Sequence, residues 1–213
     1  TLHVEHMRME MAKIFQEVDR LGGTRAGTEG EGHLVSQSAM GIAFRAAKRS
    51  FDITASAVGM VVLSPLLLVT AIAVKATSPG PVIFKQKRYG KDKIPFTCYK
   101  FRTMKIDTPP NIPTRVMRED KAVMWPIGAM LRKTSIDELP QLVNIIKGDM
   151  SVIGPRPMIL AEYEQIEARS RYGANDIRPG LTGWAQINGR DAVTVEEKAR
   201  LDGWGWNCRA PSA

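Results

Sequence analysis

From Ile53 to Val74 the chain runs twenty-two residues without a charge, ITASAVGMVVLSPLLLVTAIAV, with a proline near the middle. A straight helix of that length rises roughly 33 Å, enough to cross a hydrocarbon core of about 30 Å. Pro65 removes one ladder hydrogen bond and its ring crowds the preceding turn, so Ser64-Pro65 predicts a break. The Ser64 hydroxyl is placed to take up a backbone carbonyl freed there. Cations stand on both sides: Arg45, Lys48 and Arg49 before the run, and Lys75, Lys85, Lys87 and Arg88 after it. A spanning helix normally carries its basic excess on one side. A helix that enters, breaks and returns to the same face satisfies both observations. A full span and a buried soluble core helix are the alternatives.

Charge mapping supports the membrane reading. The formal net charge of +8 divides into −2 over residues 1–41, +10 over 42–105 and zero over 106–213. The whole excess surrounds the apolar run, which points to anionic lipid headgroups rather than to nucleic acid. The basic third also lacks the interleaved aromatics on which bases stack. His3, His6 and His33 are the three histidines, so chemistry further along cannot use a histidine base or ligand. Two cysteines, Cys98 and Cys208, make no disulfide framework and suit a reducing compartment.

The rest of the chain divides into short elements. Residues 1–41 read as a variable tail, with a short amphipathic helix over Met7–Leu21, a linker to Gly32 and no signal peptide. Val82–Phe84 and Phe96–Phe101 read as strands of a hairpin turning at Tyr89-Gly90-Lys91-Asp92. The proline-rich stretch 105–120 reads as a mobile loop. Helices are expected over Ile127–Lys133, Glu138–Lys147, Ala161–Tyr172 and Thr194–Asp202. In the second, Leu139, Leu142, Val143 and Ile146 form the apolar stripe and Gly148 the stop. Thr194 and Glu197 have the spacing of a capping box.

Chemistry concentrates at Asp137-Glu138. A carboxylate at a helix start is favoured in its ionised form by the helix dipole, as is any phosphate beside it. Such a carboxylate can attack phosphorus, and its neighbour can hold a hard cation such as Mg²⁺. Simple capping by the pair is the alternative. Gly154-Pro155-Arg156-Pro157 mounts an arginine rigidly between two prolines, suited to a bidentate phosphate contact. Pro179-Gly180-Leu181-Thr182-Gly183 and Asn188-Gly189-Arg190 are tight, backbone-exposing turns. Lys100, Arg102 and Thr103 add donors on the second strand. These groups suit a phosphorylated substrate without a GxxxxGK[ST] or GxGxxG loop.

Taken together, KRSFD (48–52), the Ser64-Pro65 break, SPGPVIFKQKRYG (78–90), KFRTM (100–104), LRKTSIDELPQLVNIIKGDMSVIGPRP (131–157) and RPGLTGWAQINGR (178–190) resemble the bacterial sugar transferases. These are monotopic polyprenyl-phosphate phosphoglycosyl transferases, and the resemblance runs from about Ala46 to Asp202. It implies a mainly helical α+β protein: a re-entrant membrane helix over 42–77 and a cytoplasmic catalytic domain over 78–202 containing a short β-hairpin. The implied reaction moves a sugar 1-phosphate from a UDP-sugar to undecaprenyl phosphate at the bacterial inner membrane, with Mg²⁺, priming exopolysaccharide synthesis.

By resemblance Asp137 is the nucleophile and Glu138 the metal holder, while Arg156 contacts the nucleotide sugar. Lys100, Arg102, Thr182, Arg190 and Asp202 line the substrate site, and Lys48 and Arg49 anchor the helix mouth among headgroups. A hexose donor is favoured over N-acetylated sugars. After Asp202 the chain reads GWGWNCRAPSA, where relatives continue with an aromatic-rich helix. That difference keeps an inactive homologue or a membrane-anchored adaptor as the alternative. Nothing in the residues sets the oligomeric state.

Overall fold

The computed structural model describes residues 31–77, 79–105, 126–188 and 193–204. The expected helix at Met7–Leu21, the loop over 106–120, Arg190 and the residues after Trp204 lie outside them. The fold is mainly helical α+β, with two small two-stranded sheets.

Helix α1 (Glu31–Val62) begins inside the stretch read as a tail and runs into the uncharged segment. It stops at Leu63, and α2 (Ser64–Thr77) leaves at a bend of 63°. The cause is local. Pro65 has no N–H to give the Val61 carbonyl, and the Ser64 hydroxyl donates to that carbonyl instead, at 2.7 Å. No single described helix is long and apolar enough to cross a membrane; Ile42–Val62 and Ser64–Thr77 meet that test only as a bent pair. One side of the pair faces the protein through Asp52, Ser56, Thr70 and Val74. The other side leaves Val61 74% exposed and Val62 68% exposed, with Leu68, Val69 and Ile72 similarly open. A buried soluble core helix would not present such a face.

Strands β1 (Ile83–Tyr89) and β2 (Pro95–Phe101) form the expected antiparallel hairpin, in the register Gln86↔Cys98 and Arg88↔Phe96. Its turn is a 3₁₀ turn at Lys91–Lys93, with Asp92 left-handed at φ 55°. Alternation puts Phe84, Gln86 and Arg88 on one face with Phe96, Cys98 and Lys100. That face belongs to a core of Phe96, Cys98, Leu142, Ile145 and Met150, against which Met60 of α1 packs.

Helix α3 (Pro126–Thr134) leads to a 3₁₀ turn, Ile136–Glu138, and then to α4 (Gln141–Lys147). The expected stripe on α4 is corrected by the structure. The buried residues are Gln141, Leu142, Asn144 and Ile145, while Val143 and Ile146 are 37% and 36% exposed. The reason is Asn144, whose amide donates to the Thr97 carbonyl and accepts from the Tyr99 N–H, stitching α4 to β2. A buried side chain that satisfies a strand's backbone takes the inward position from an aliphatic one. Gly148 ends α4 as expected, left-handed at φ 99°.

A parallel pair not foreseen in the sequence, β3 (Ser151–Ile153) and β4 (Gly180–Thr182), follows. Helices α5 (Tyr163–Arg171), α6 (Trp184–Ile187) and α7 (Val195–Trp204) complete the fold. The capping box at α7 forms as its spacing requires. Thr194 N–H donates to Glu197 Oε2 at 3.0 Å, and Glu197 N–H donates to Thr194 Oγ at 3.2 Å.

The helix pair is fastened to this body by its basic end. Lys48 and Arg49, expected among headgroups, turn into the protein. Lys48 bonds Asp52 and the Ser151 hydroxyl, and Asp52 Oδ1 accepts from Ser151 Oγ and Val152 N–H, each at 3.0 Å. Arg49 donates to the Ile145 and Ile146 carbonyls at 2.6 and 2.8 Å, a cation on the C-terminus of α4.

Candidate active site

Asp137 does not cap α4. Ser135 takes a left-handed conformation at φ 59°, and Ile136–Glu138 wind as a 3₁₀ turn. The α-helix starts only after Pro140, which occupies the cap position. The dyad therefore sits one tight turn ahead of the helix, and Asp137 is buried. This corrects the expected influence of the dipole: burial pushes the Asp137 carboxyl above its ordinary value, against the pull of Lys100.

Glu138 is the hub of the site. Its Oε1 accepts from Lys100 Nζ at 2.6 Å and from Arg156 Nη2 at 2.9 Å. Burial alone would push this carboxyl up, but the Arg156 and Lys100 charges hold it down to about 2. Lys100 is the counterpart. Burial and the nearby Arg156 guanidinium bring its ammonium down to about 8, despite the Glu138 partner. The cluster thus combines a carboxylate that ionises easily, one that ionises reluctantly, and cations drawn from β2 and from the Pro-Arg-Pro turn.

The structure brings together Asp137, Glu138, Lys100 and Arg156, residues spread over more than fifty positions of the chain. The other expected site residues have contacts of their own. Arg102 is buried, with Nη1 on the Pro79 carbonyl at 2.6 Å, where it secures the Pro79-Gly80-Pro81 segment. Thr182 sits in β4 opposite Ile153, and its carbonyl accepts from Gly154 N–H. Asp202 is buried on α7 against Arg169. Ser64 and Pro65 form the break of the helix pair. Arg190 lies outside the described residues.

The structure also gives buried places to residues outside the expected site. Arg88 lies on the inner face of the hairpin and donates to the Pro157 carbonyl at 2.5 Å. The period-2 pattern Phe84-x-Gln86-x-Arg88 was its one visible signal. Asp52 and Ser151 are a second case, and no local pattern joins them. Cys98 lies in the same core, where burial pushes its thiol up, so it packs rather than reacts.

No group of three or more potential metal-ligating side chains occurs among the described residues. The dyad still fits a hard cation of the Mg²⁺ kind. Such ions keep waters, take one or two carboxylates and complete their shell with substrate phosphate. Both bonds from Lys100 and Arg156 fall on one Glu138 oxygen, Oε1.

Comparison with known proteins agrees with this chemistry. The family model for bacterial sugar transferases matches residues 43–207. An uncharacterized sugar transferase of Bacillus subtilis, EpsL, is 43% identical over 159 residues, covering 74% of this chain and 76% of that protein. The exopolysaccharide production protein ExoY of Rhizobium meliloti is 39% identical over 171 residues, covering 73% of this chain and 75% of its own length. The UDP-glucose:undecaprenyl-phosphate glucose-1-phosphate transferase of Escherichia coli is 44% identical over 147 residues, covering 68% of this chain but 32% of that larger protein. Converging cations on Glu138 of the dyad, a broken apolar helix pair, and a family match spanning both lead to one statement: this chain belongs to the bacterial sugar transferase family.

Proposed function

We propose that the chain transfers a sugar 1-phosphate, with a hexose as the sugar, from a UDP-sugar to undecaprenyl phosphate, priming exopolysaccharide synthesis. The observation that carries this reading is the convergence of Lys100 and Arg156 on Glu138 next to the buried Asp137. The E. coli relative, named for UDP-glucose and undecaprenyl phosphate, supports the donor and the acceptor. In the first step an Asp137 oxygen attacks the phosphorus that bears the sugar, the bond to the bridging oxygen breaks, and UMP leaves. In the second step an oxygen of the lipid phosphate attacks the same phosphorus and the Asp137 carboxylate is released. Arg156 and Lys100 supply donors to the phosphoryl oxygens, where fixed charges act most strongly in a water-poor site. A Mg²⁺ held by Glu138 would neutralise charge on the pyrophosphate.

The exposed apolar face of α1 and α2 enters the cytoplasmic leaflet in this reading, breaking at Ser64-Pro65 and returning to the same side. The Lys48–Asp52–Ser151 contacts then keep the catalytic residues at the headgroup level on the cytoplasmic face. Anionic lipids are the natural partners of the cations that stay exposed around the helix pair, Arg45, Lys75, Lys85 and Lys87.

A covalent aspartyl-phosphosugar makes the two halves separable. Labelled UMP should exchange into the UDP-sugar with no lipid acceptor present. Screening UDP-glucose, UDP-galactose and their N-acetylated analogues in that exchange also identifies the sugar. Exchange that appears only when undecaprenyl phosphate is added would overturn the two-step reading.

The alkaline limb of the pH profile should belong to Lys100. Its cation is present below about 8 and is lost as the pH rises through that value, so kcat/KM should fall there. Unfolding linked to this group does not produce such a fall. Between about 8 and the ordinary lysine value of 10.5 the unfolded chain holds more protons at this position, so this linkage raises stability with pH. Lys100→Arg should move the limb upward by a unit or more, and a limb near 8 that persists in that variant assigns it elsewhere.

A further inference from the structure

We propose that Arg169 is a positioning residue of the transfer reaction, holding Arg156 in place through the Arg156 carbonyl, with Asp202 as its own counter-charge. The Pro155-Arg156-Pro157 turn has lost two of its three N–H groups to proline, so it is fixed chiefly through its carbonyls. Four in succession are engaged. Pro155 C=O accepts from Gly180 N–H at 2.8 Å, Arg156 C=O from Arg169 Nη1 at 2.8 Å, Pro157 C=O from Arg88 Nη1 at 2.5 Å, and Met158 C=O from Tyr89 N–H at 2.9 Å. Two of these four donors are buried guanidinium groups from separate elements, β1 and α5.

Arg169 is 3% exposed and uses its whole fork. Nε and Nη2 meet Asp202 Oδ2 at 2.9 and 2.5 Å, leaving Nη1 for the turn. A buried charge is tolerable only with such a partner, and here the partner lies on α7. Leucine would fill the space, but only a planar fork can bind a carboxylate on one edge and a carbonyl on another. Arg156 itself is about one-third exposed, and its guanidinium meets Glu138 through Nη2. Its aim therefore depends on the backbone from which it extends, and Arg169 grips that backbone at the same residue. Asp202, expected to line the substrate site, acts one step further back, through Arg169.

This inference rests on the reading of Arg156 as a phosphate contact, and a double-mutant cycle separates the two. Arg169→Lys keeps the charge but cannot span both partners. It should lower kcat/KM for the UDP-sugar by ten- to a hundred-fold, the scale of a misplaced contact. In an Arg156→Lys background the same change should cost less than about two-fold, because the group it aims has already been lost. Equal fold losses in both backgrounds would make Arg169 a merely structural residue and overturn the proposal. Unchanged kinetics in Arg156→Lys and Arg156→Ala alone would overturn the phosphate reading instead. Asp202→Asn, isosteric with the native side chain, repeats the cycle if Arg169→Lys does not fold, with the same non-additivity expected. Where the Arg156 variant turns over too slowly to measure, the cycle is read in affinity for UDP.

Discussion

Asp137→Asn should reduce transfer by at least about 10⁴-fold, the scale seen when a covalent nucleophile is removed. Labelled UMP exchange should vanish with it. The substitution keeps the shape of the side chain, so the 3₁₀ turn and the contacts around Glu138 should persist. Stability at neutral pH should hold or rise, and the sign follows from burial. Burial raises the carboxyl of Asp137 above its unfolded value, so ionising it in the folded state costs stability as the pH rises through that raised value. Asparagine removes that cost. Thermal unfolding, UMP release and labelled UMP exchange measured on one preparation test all three points. An Asn variant with near-native turnover would remove Asp137 from the chemistry. A variant that is inactive because it unfolds would contradict the sign of the stability effect.

Gly180→Ala should produce the largest loss of stability from a single methyl group. A Cβ at Gly180 would lie 2.1 Å from the Gly154 nitrogen, 2.5 Å from its oxygen and 2.6 Å from its Cα, all backbone atoms with no flexible end to yield. The parallel pair must then separate, giving up the Gly180 N–H bond to Pro155 and the Gly154 N–H bond to Thr182. Overpacking of this kind costs about 3 kcal/mol. For a domain of this size that lowers the melting temperature by roughly 10 °C. The displaced turn carries Arg156, so kcat/KM should also fall about a hundred-fold at temperatures where the variant is folded. Gly59→Ala is the control. Its Cβ would meet only Leu142 Cδ1 at 3.6 Å, within a helix, where alanine gains up to about 1 kcal/mol over glycine. Equal melting temperatures for the two variants would mean that β3 and β4 are not in close contact.

Gly180 shows where legibility ended. In the sequence, Pro179-Gly180-Leu181-Thr182-Gly183 reads as a tight turn, because proline and glycine together locally signal one. In the structure Gly180 opens a strand, and the glycine is needed because the backbone of Gly154, twenty-six positions earlier, lies against it. Nothing within five residues of Gly180 carries that information. The α4 stripe went astray for a similar reason: apolar spacing ranked Val143 and Ile146 above Asn144, whose partners lie on β2.

The sequence by itself determined what neighbours a few residues apart can decide. The break at Ser64-Pro65 follows from a missing N–H, the end of α4 from Gly148, the start of α7 from Thr194 and Glu197, and the hairpin from its alternation and turn. Asp137-Glu138 and Arg156 were legible as chemistry through residue type and through the resemblance of whole segments to a known family. Tertiary structure alone decided which cations meet. Lys100 and Arg156 reach one oxygen of Glu138 from 38 and 18 residues away. Lys48 and Arg49 turned inward to Ser151 and the end of α4, and Asp202 found Arg169. Buried charges settle on whichever partner folding brings within reach, because an uncompensated one costs several kcal/mol. That pairing depends on how the elements pack, and local patterns carry no record of it.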